Sequence, residues 1–253
     1  MMINYIVLAL FGLILGSFFN VAGLRVPEGK SIVAPGSSCP KCGHKLMPIE
    51  LIPVLSYVFQ RGKCRHCKAG ISPVYPLIEL LTGGLFALAP MAVGWSAELL
   101  VALTLISLLT IITVSDLAYM LIPDKVLIVF AAILVIERAF VPLLPWWDSL
   151  AGAAAGFMLL LSIAIVSRGG MGGGDIKLFA VVGYAIGVKA MLLSFFFATF
   201  FGAIFGIIGM LLGILKRKQQ IPFGPFIALG TVIAYFYGEQ LAGMYLNLLT
   251  SGS

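Results

Sequence analysis

Two aspartates in an otherwise apolar chain are the groups best able to do chemistry. Asp116 stands in "TVSDLAYMLIPDKV" at the end of one hydrophobic run, and Asp175 stands in "GGMGGGDIKL" (169–178) at the start of another. The chain has ten acidic residues. Glu28 and Glu50 lie in a polar loop, and Glu98, Glu137, Asp148 and Glu239 lie near the ends of hydrophobic runs. Glu79, Asp116, Asp124 and Asp175 remain close to apolar segments. Charged, unpaired acids inside a membrane bundle cost several kcal/mol or more, so they are functional candidates. Helix capping is the alternative reading for an Asp at an exposed end.

Pairing favours chemistry. Two carboxylates that share a partly dry site cannot both ionise easily, so the pair can hold one proton. The ionised Asp can then take a proton from water, which attacks a peptide carbonyl. The protonated Asp donates to the developing oxyanion and later to the leaving amine. This needs no catalytic metal. The five glycines before Asp175 are expected to permit unusual backbone conformations and the close approach of an extended substrate. No His-Glu-x-x-His helix, Gly-x-Ser-x-Gly elbow or Walker loop is present.

The second constellation is "CPKCGHKLMPIELIPVLSYVFQRGKCRHC" (39–67), which holds all four cysteines of the chain. The pairs Cys39/Cys42 and Cys64/Cys67 can bring four thiolates around one tetrahedral zinc. His44 and His66 are reserve ligands. Four protein ligands leave no open position, so this zinc would be structural and would help fold a loop that has little to bury.

The elements that must position these groups follow from composition. The 253 residues are 61% hydrophobic and 10% charged, against about a quarter charged for soluble proteins. Runs such as 3–24, 76–93 and 191–215 approach or exceed the roughly 20 residues that cross a bilayer core. The chain therefore reads as an all-α polytopic membrane protein with a small zinc-binding loop domain. About eight spans are expected: 3–24, 74–93, 97–115, 126–144, 149–167, 176–188, 190–215 and 226–247. The first run lacks a preceding basic region and a cleavage site, and it reads as a retained helix. The domains are then 1–24, the first helix; 25–73, the four-Cys loop; and 74–253, the remaining spans with the aspartates.

The net charge of +6 reflects topology and does not indicate nucleic-acid binding. Eight of 16 basic residues lie in the loop: Arg25, Lys30, Lys41, Lys45, Arg61, Lys63, Arg65 and Lys68. Cytoplasmic segments carry such an excess. With this loop inside and the N-terminus outside, junctions 116–125, 168–177 and 216–225 are also inside. They contribute Lys125, Arg168, Lys177, Lys216, Arg217 and Lys218, and only Arg138 and Lys189 fall outside. Both aspartates then lie at the cytoplasmic face of the membrane. Lys177 can fold back on Asp175 or snorkel to the interface. "PFGP" (222–225) reads as a tight inner turn, and the Phe-rich run 195–201 as lipid-facing.

These residues resemble the bacterial type IV prepilin leader peptidases, membrane aspartic proteases of the Gly-x-Gly-Asp type. The resemblance runs through "GSFFNV" (16–21), the cysteine pairs, "ISPVYPLIE" (71–79), "SDLAYMLIPD" (115–124), "GMGGGDIKL" (170–178) and "PFGPF" (222–226). It implies catalytic roles for Asp116, seven residues before Pro123, and for Asp175. It gives Asp124 a role in orienting the loop or a helix start, and Glu79 a role in pairing with a basic group or shaping the site. Many members carry a second acid where Ala118 stands, Arg where Val74 stands and an aromatic where Pro48 stands. The implied substrate is a prepilin or pseudopilin precursor, cut after a Gly at the cytoplasmic membrane surface. Many members also methylate the new N-terminus with S-adenosylmethionine. A proton-coupled transporter would also use membrane acids, but nearer the midplane. A zinc-ribbon scaffold would leave the acid pair unexplained.

Overall fold

The computed structural model describes residues 2–167, 170–216 and 219–251, apart from the side chains of 245, 246 and 248–251. Arg168, Gly169, Arg217 and Lys218, read above as an inner-face glycine and basic residues, lie outside the described residues. Helix α1 (Met2–Arg25) leads into a loop that contains a 3-10 turn (Pro48–Leu51) and a short helix, α2 (Leu55–Phe59). There follow α3 (Val74–Val93), α4 (Glu98–Tyr119), α5 (Asp124–Phe140), α6 (Asp148–Val166), α7 (Gly173–Leu211) and α8 (Gly224–Ser251). Five helices, α1, α3, α4, α6 and α7, are long and apolar enough to cross a membrane.

Helix α7, at 39 residues, would be about 58 Å long if straight, nearly twice a bilayer core of about 30 Å. It does not run straight. Gly187 takes φ 79° and ψ 174°, a conformation open to glycine and strained for residues with a Cβ. The chain turns back there. Phe179 and Phe195, each eight residues from Gly187, lie 5.9 Å apart in edge-to-face contact. Limbs 173–186 and 188–211 thus form a hairpin, so the one continuous helix is two segments that double back on each other.

Helix α4 is the central post. Val101, Ala102, Leu108 and Ile112 are fully enclosed along it, and it packs on α1, α3, α5, α7 and α8. Helix α6 packs most extensively on α7. Gly152 and Gly183 touch there backbone to backbone, a small-residue seam of the kind that joins helices in lipid.

The turn at Gly187 frees backbone groups on both sides. The Asp148 Oδ1 accepts the Val188 N–H at 3.3 Å. Arg138, 4% exposed, donates to the Ala185 carbonyl through Nε at 2.8 Å. The same guanidinium grips both Glu98 oxygens at 2.7 and 2.8 Å, and Tyr235 donates its hydroxyl to Glu98. Residues read as separate span-end groups thus form one network joining α4, α5, α7 and α8, buried at Arg138 and partly buried at Glu98. Removing Arg138 leaves Glu98 and the Ala185 carbonyl without their partner. Arg138→Ala is expected to cost about 3–5 kcal/mol, seen as a lower melting temperature in detergent. Lys177→Ala, which breaks only an exposed pair with Asp124, is expected to cost less than about 1 kcal/mol.

Candidate active site

Asp116 lies one turn before the end of α4. Its carbonyl accepts the N–H of Met120, which closes the helix in the left-handed region at φ 52°. Ser115 Oγ donates to the Leu121 carbonyl at 2.5 Å, fixing the loop that follows. A carboxylate at a helix C-terminus faces the negative end of that helix. The contact is offset by the start of α8, where the Gly224 N–H donates to Asp116 Oδ2 at 2.6 Å. A Cβ on Gly224 would stand 2.9 Å from that oxygen and 3.0 Å from the Asp116 Cβ, so a larger residue would displace the carboxylate.

Asp175 lies in the first turn of α7, whose N-cap is Gly172. Negative charge is favourable there. The described glycines do not take the unusual backbone conformations expected from sequence. None of Gly170, Gly172, Gly173 and Gly174 takes a positive φ, because the helix already begins at Gly173. Gly174 is small for packing: a Cβ would sit 2.8 Å from the Ile122 Cβ. The α4–α5 loop therefore rests directly on the first turn of α7, bringing the two aspartates together.

Both carboxylates line one cleft of about 690 Å³. Asp116 is buried and Asp175 half-buried. Met171, Thr199, Gly202 and Phe223 form other parts of the wall. The sequence reading missed Thr199 and Gly202, which reach the cleft because the Gly187 hairpin folds the second limb of α7 back. Phe196 and Phe200 of the same limb are exposed, as a lipid-facing run would be. "PFGPF" is more than a turn, since it delivers the N–H that holds Asp116.

Lys177 is not turned toward Asp175. Its Nζ contacts both Asp124 oxygens at 2.8 Å, tying the first turns of α5 and α7. Glu79 has no basic partner among the described residues. Its Oε2 accepts the Val54 N–H at 2.7 Å, which ties the four-Cys loop to α3. Val54 is β-branched and has φ 61°, a costly conformation, so the bond holds a strained point of the chain.

The loop contains two matching knuckles. Cys39 N–H bonds the His44 carbonyl, Gly43 N–H bonds the Cys39 carbonyl, and Ser38 pairs with Lys45. The same pattern recurs 25 residues later in Cys64 with Ala69, Lys68 with Cys64, and Lys63 with Gly70. Gly43 and Lys68 are the left-handed residues, at φ 71° and 59°. The four sulfurs lie within 4.8 Å of one another, with Cys39–Cys67 at 3.8 Å and Cys42–Cys64 at 4.0 Å. Thiolates about 2.3 Å from a tetrahedral ion would have such spacings, so the donor set fits a metal. The Cys42 and Lys41 backbone N–H groups lower the Cys39 thiol to about 6. The His44 N–H also favours the Cys42 thiolate, but neighbouring sulfurs and burial outweigh it and push that thiol up to about 12. Such a cluster is neutralised when a cation binds.

His44 is engaged elsewhere, with Nε2 3.2 Å from Glu50 Oε2, and its ring stacks on His66. The Met47 N–H, with help from His44, holds the Glu50 carboxyl below its ordinary range.

The fold and site define a polytopic helical membrane protein with a paired-carboxylate cleft at its helix ends and a four-thiol metal domain. Residues 10–93 match the Bacterial Peptidase A24 N-terminal domain, and residues 103–207 match the Type IV leader peptidase family. A prepilin leader peptidase/N-methyltransferase of Bacillus subtilis is 49% identical over 242 residues, covering 96% of this chain and 98% of the relative. Relatives with that description in Aeromonas hydrophila and Pseudomonas aeruginosa are 34% and 32% identical, each covering 94% of this chain and 92% of its own length. No solved structure matches. The chain belongs to the type IV leader peptidase family.

Elemental analysis of the purified chain is expected to find about one metal ion per molecule. Cys64→Ser should lose it, whereas His44→Ala should retain it.

Proposed function

We propose that Asp116 and Asp175 are the catalytic pair of a membrane aspartic endopeptidase that removes the leader of a prepilin or pseudopilin precursor. The single observation that carries this reading is that both carboxylates, 59 residues apart in sequence, line one cleft at the meeting of α4, α7 and α8. One proton is shared by the pair. The ionised group takes a proton from water as the oxygen attacks the scissile carbonyl. The protonated group donates to the oxyanion to give a gem-diol; the C–N bond then breaks as the first group passes the proton it took from water to the leaving amine, and the second takes a proton back from the gem-diol, which restores the pair. Gly224 keeps Asp116 aimed into the cleft, and the Ile122–Gly174 contact sets the distance to Asp175. The acids sit at helix ends, which suits a substrate entering from the membrane surface.

The orientation belongs to the same proposal: N-terminus outside, loop 25–73 and both aspartates at the cytoplasmic face. So does the division into a first helix (1–24), a loop domain (25–73) and a peptidase region (74–253). Zinc at Cys39, Cys42, Cys64 and Cys67 would hold the two knuckles together as a structural ion. Methylation of the new N-terminus, with S-adenosylmethionine as donor, is a further part of the proposal. The cleft in the four-Cys loop carries Arg61, Lys63, Arg65 and Lys68 and does not fit a sulfonium cation.

The test is cleavage of a purified prepilin in detergent, read by mass spectrometry. Asp116→Asn and Asp175→Asn should each abolish cleavage while the protein stays folded, and Asp124→Asn should retain it. Full-rate cleavage by either of the first two would overturn the assignment. Gly224→Ala should lower the rate at least about a hundredfold, since a small misplacement of a catalytic group has costs of that order. Gly243→Ala, with open space around the added methyl, should leave the rate unchanged. A product heavier by about 14 Da, with the donor present, would establish methyl transfer.

A further inference from the structure

A second cleft, of about 640 Å³, lies within the four-Cys loop and takes no part in the chemistry above. Arg61, Lys63, Arg65 and Lys68 are among its lining residues, together with the apolar Leu55 and Phe59. Among the described residues, none of the four basic side chains has a carboxylate within salt-bridge distance. The one acid in the wall, Glu50, is buried and already held by Met47 and His44. The apolar residues are equally unpartnered. Phe59 is 83% exposed and its neighbour Val58 62%, although both lie on a short helix in a polar loop.

The cleft stands beside the bilayer. The loop begins where α1 ends and returns to the start of α3, and Val54, adjacent to Leu55, is tied to Glu79 within α3. The backbone at this edge is also strained. Among the described residues, Val54 and Arg61 are two of the four non-glycine residues with positive φ, and a third, Lys68, takes that conformation as part of its knuckle. Held outliers of this kind gather where a ligand is bound.

We propose that this cleft binds the headgroup of an anionic phospholipid in the leaflet next to the loop. The four cations face its phosphate, and Leu55, Val58 and Phe59 enter the acyl boundary. The apolar residues explain why the occupant is a lipid, since a free phosphate would leave them in water. Juxtamembrane clusters of four or more Lys and Arg have this affinity for anionic lipid, and paired apolar and basic surfaces lie in the interface in the same way. The inference does not depend on the peptidase reading.

The test uses the full chain in lipid nanodiscs, either of phosphatidylcholine alone or with added phosphatidylglycerol, and follows hydrogen exchange in residues 55–68. Exchange is expected to slow about tenfold in the anionic discs, and roughly 1 M salt should remove that difference. Arg61→Gln, Lys63→Gln and Arg65→Gln together should abolish the difference with metal content intact. Equal exchange in both discs, or a difference that survives high salt, would overturn the proposal without requiring any variant to fold. It would also be overturned if inorganic phosphate added to phosphatidylcholine discs gave the same protection, since a soluble anion would then be the occupant.

Discussion

A helix that ends inside or beside a bilayer leaves peptide groups that water cannot reach. Much of this structure is an answer to that constraint. Asp148 receives the N–H left free after the Gly187 turn, and Arg138 binds a carbonyl before it. Glu79 receives the N–H of Val54 below α3, and Asp116 receives the N–H that opens α8. Four charged side chains thus satisfy backbone at three places where regular helix stops. In the last case the residue that completes the backbone is also the one best placed for acid–base chemistry, so the frame and the site share an atom.

This sharing explains how two acids from distant parts of the chain are kept in register. Asp116 is aimed by α8, whereas Asp175 is aimed by its own helix, and the link between them is the contact of Ile122 with Gly174. The exposed Lys177–Asp124 pair adds a second tie between the same two segments.

The sequence disclosed what depends on short spacing. Two Cys-x-x-Cys pairs announce a metal site because each chelating turn is local, and runs of apolar residues announce spans because bilayer thickness fixes their length. The reversal near residue 187 was visible as a gap between two predicted spans around Lys189. What stayed hidden depends on distant partners. Glu98 and Arg138 looked like separate end groups because their pairing crosses 40 residues. The Gly224–Asp116 bond crosses 108. The glycines before Asp175 were misread for a different reason. Composition suggests backbone freedom, but the described ones are accommodated in an extended cap and a helical turn, where small size is what packing uses.

The hairpin at Gly187 has a geometric consequence for how such a chain can vary. Its two limbs count outward from one residue, so Asp175 and Thr199 reach the same cleft because each stands twelve positions from the turn. One residue inserted into either limb would rotate everything beyond it by about 100° and advance it by about 1.5 Å. Thr199 would swing out of the cleft while every side chain near Asp175 remained the same. The composition of the cleft is therefore written partly in lengths, and gaps should be rarer than substitutions between residues 175 and 199.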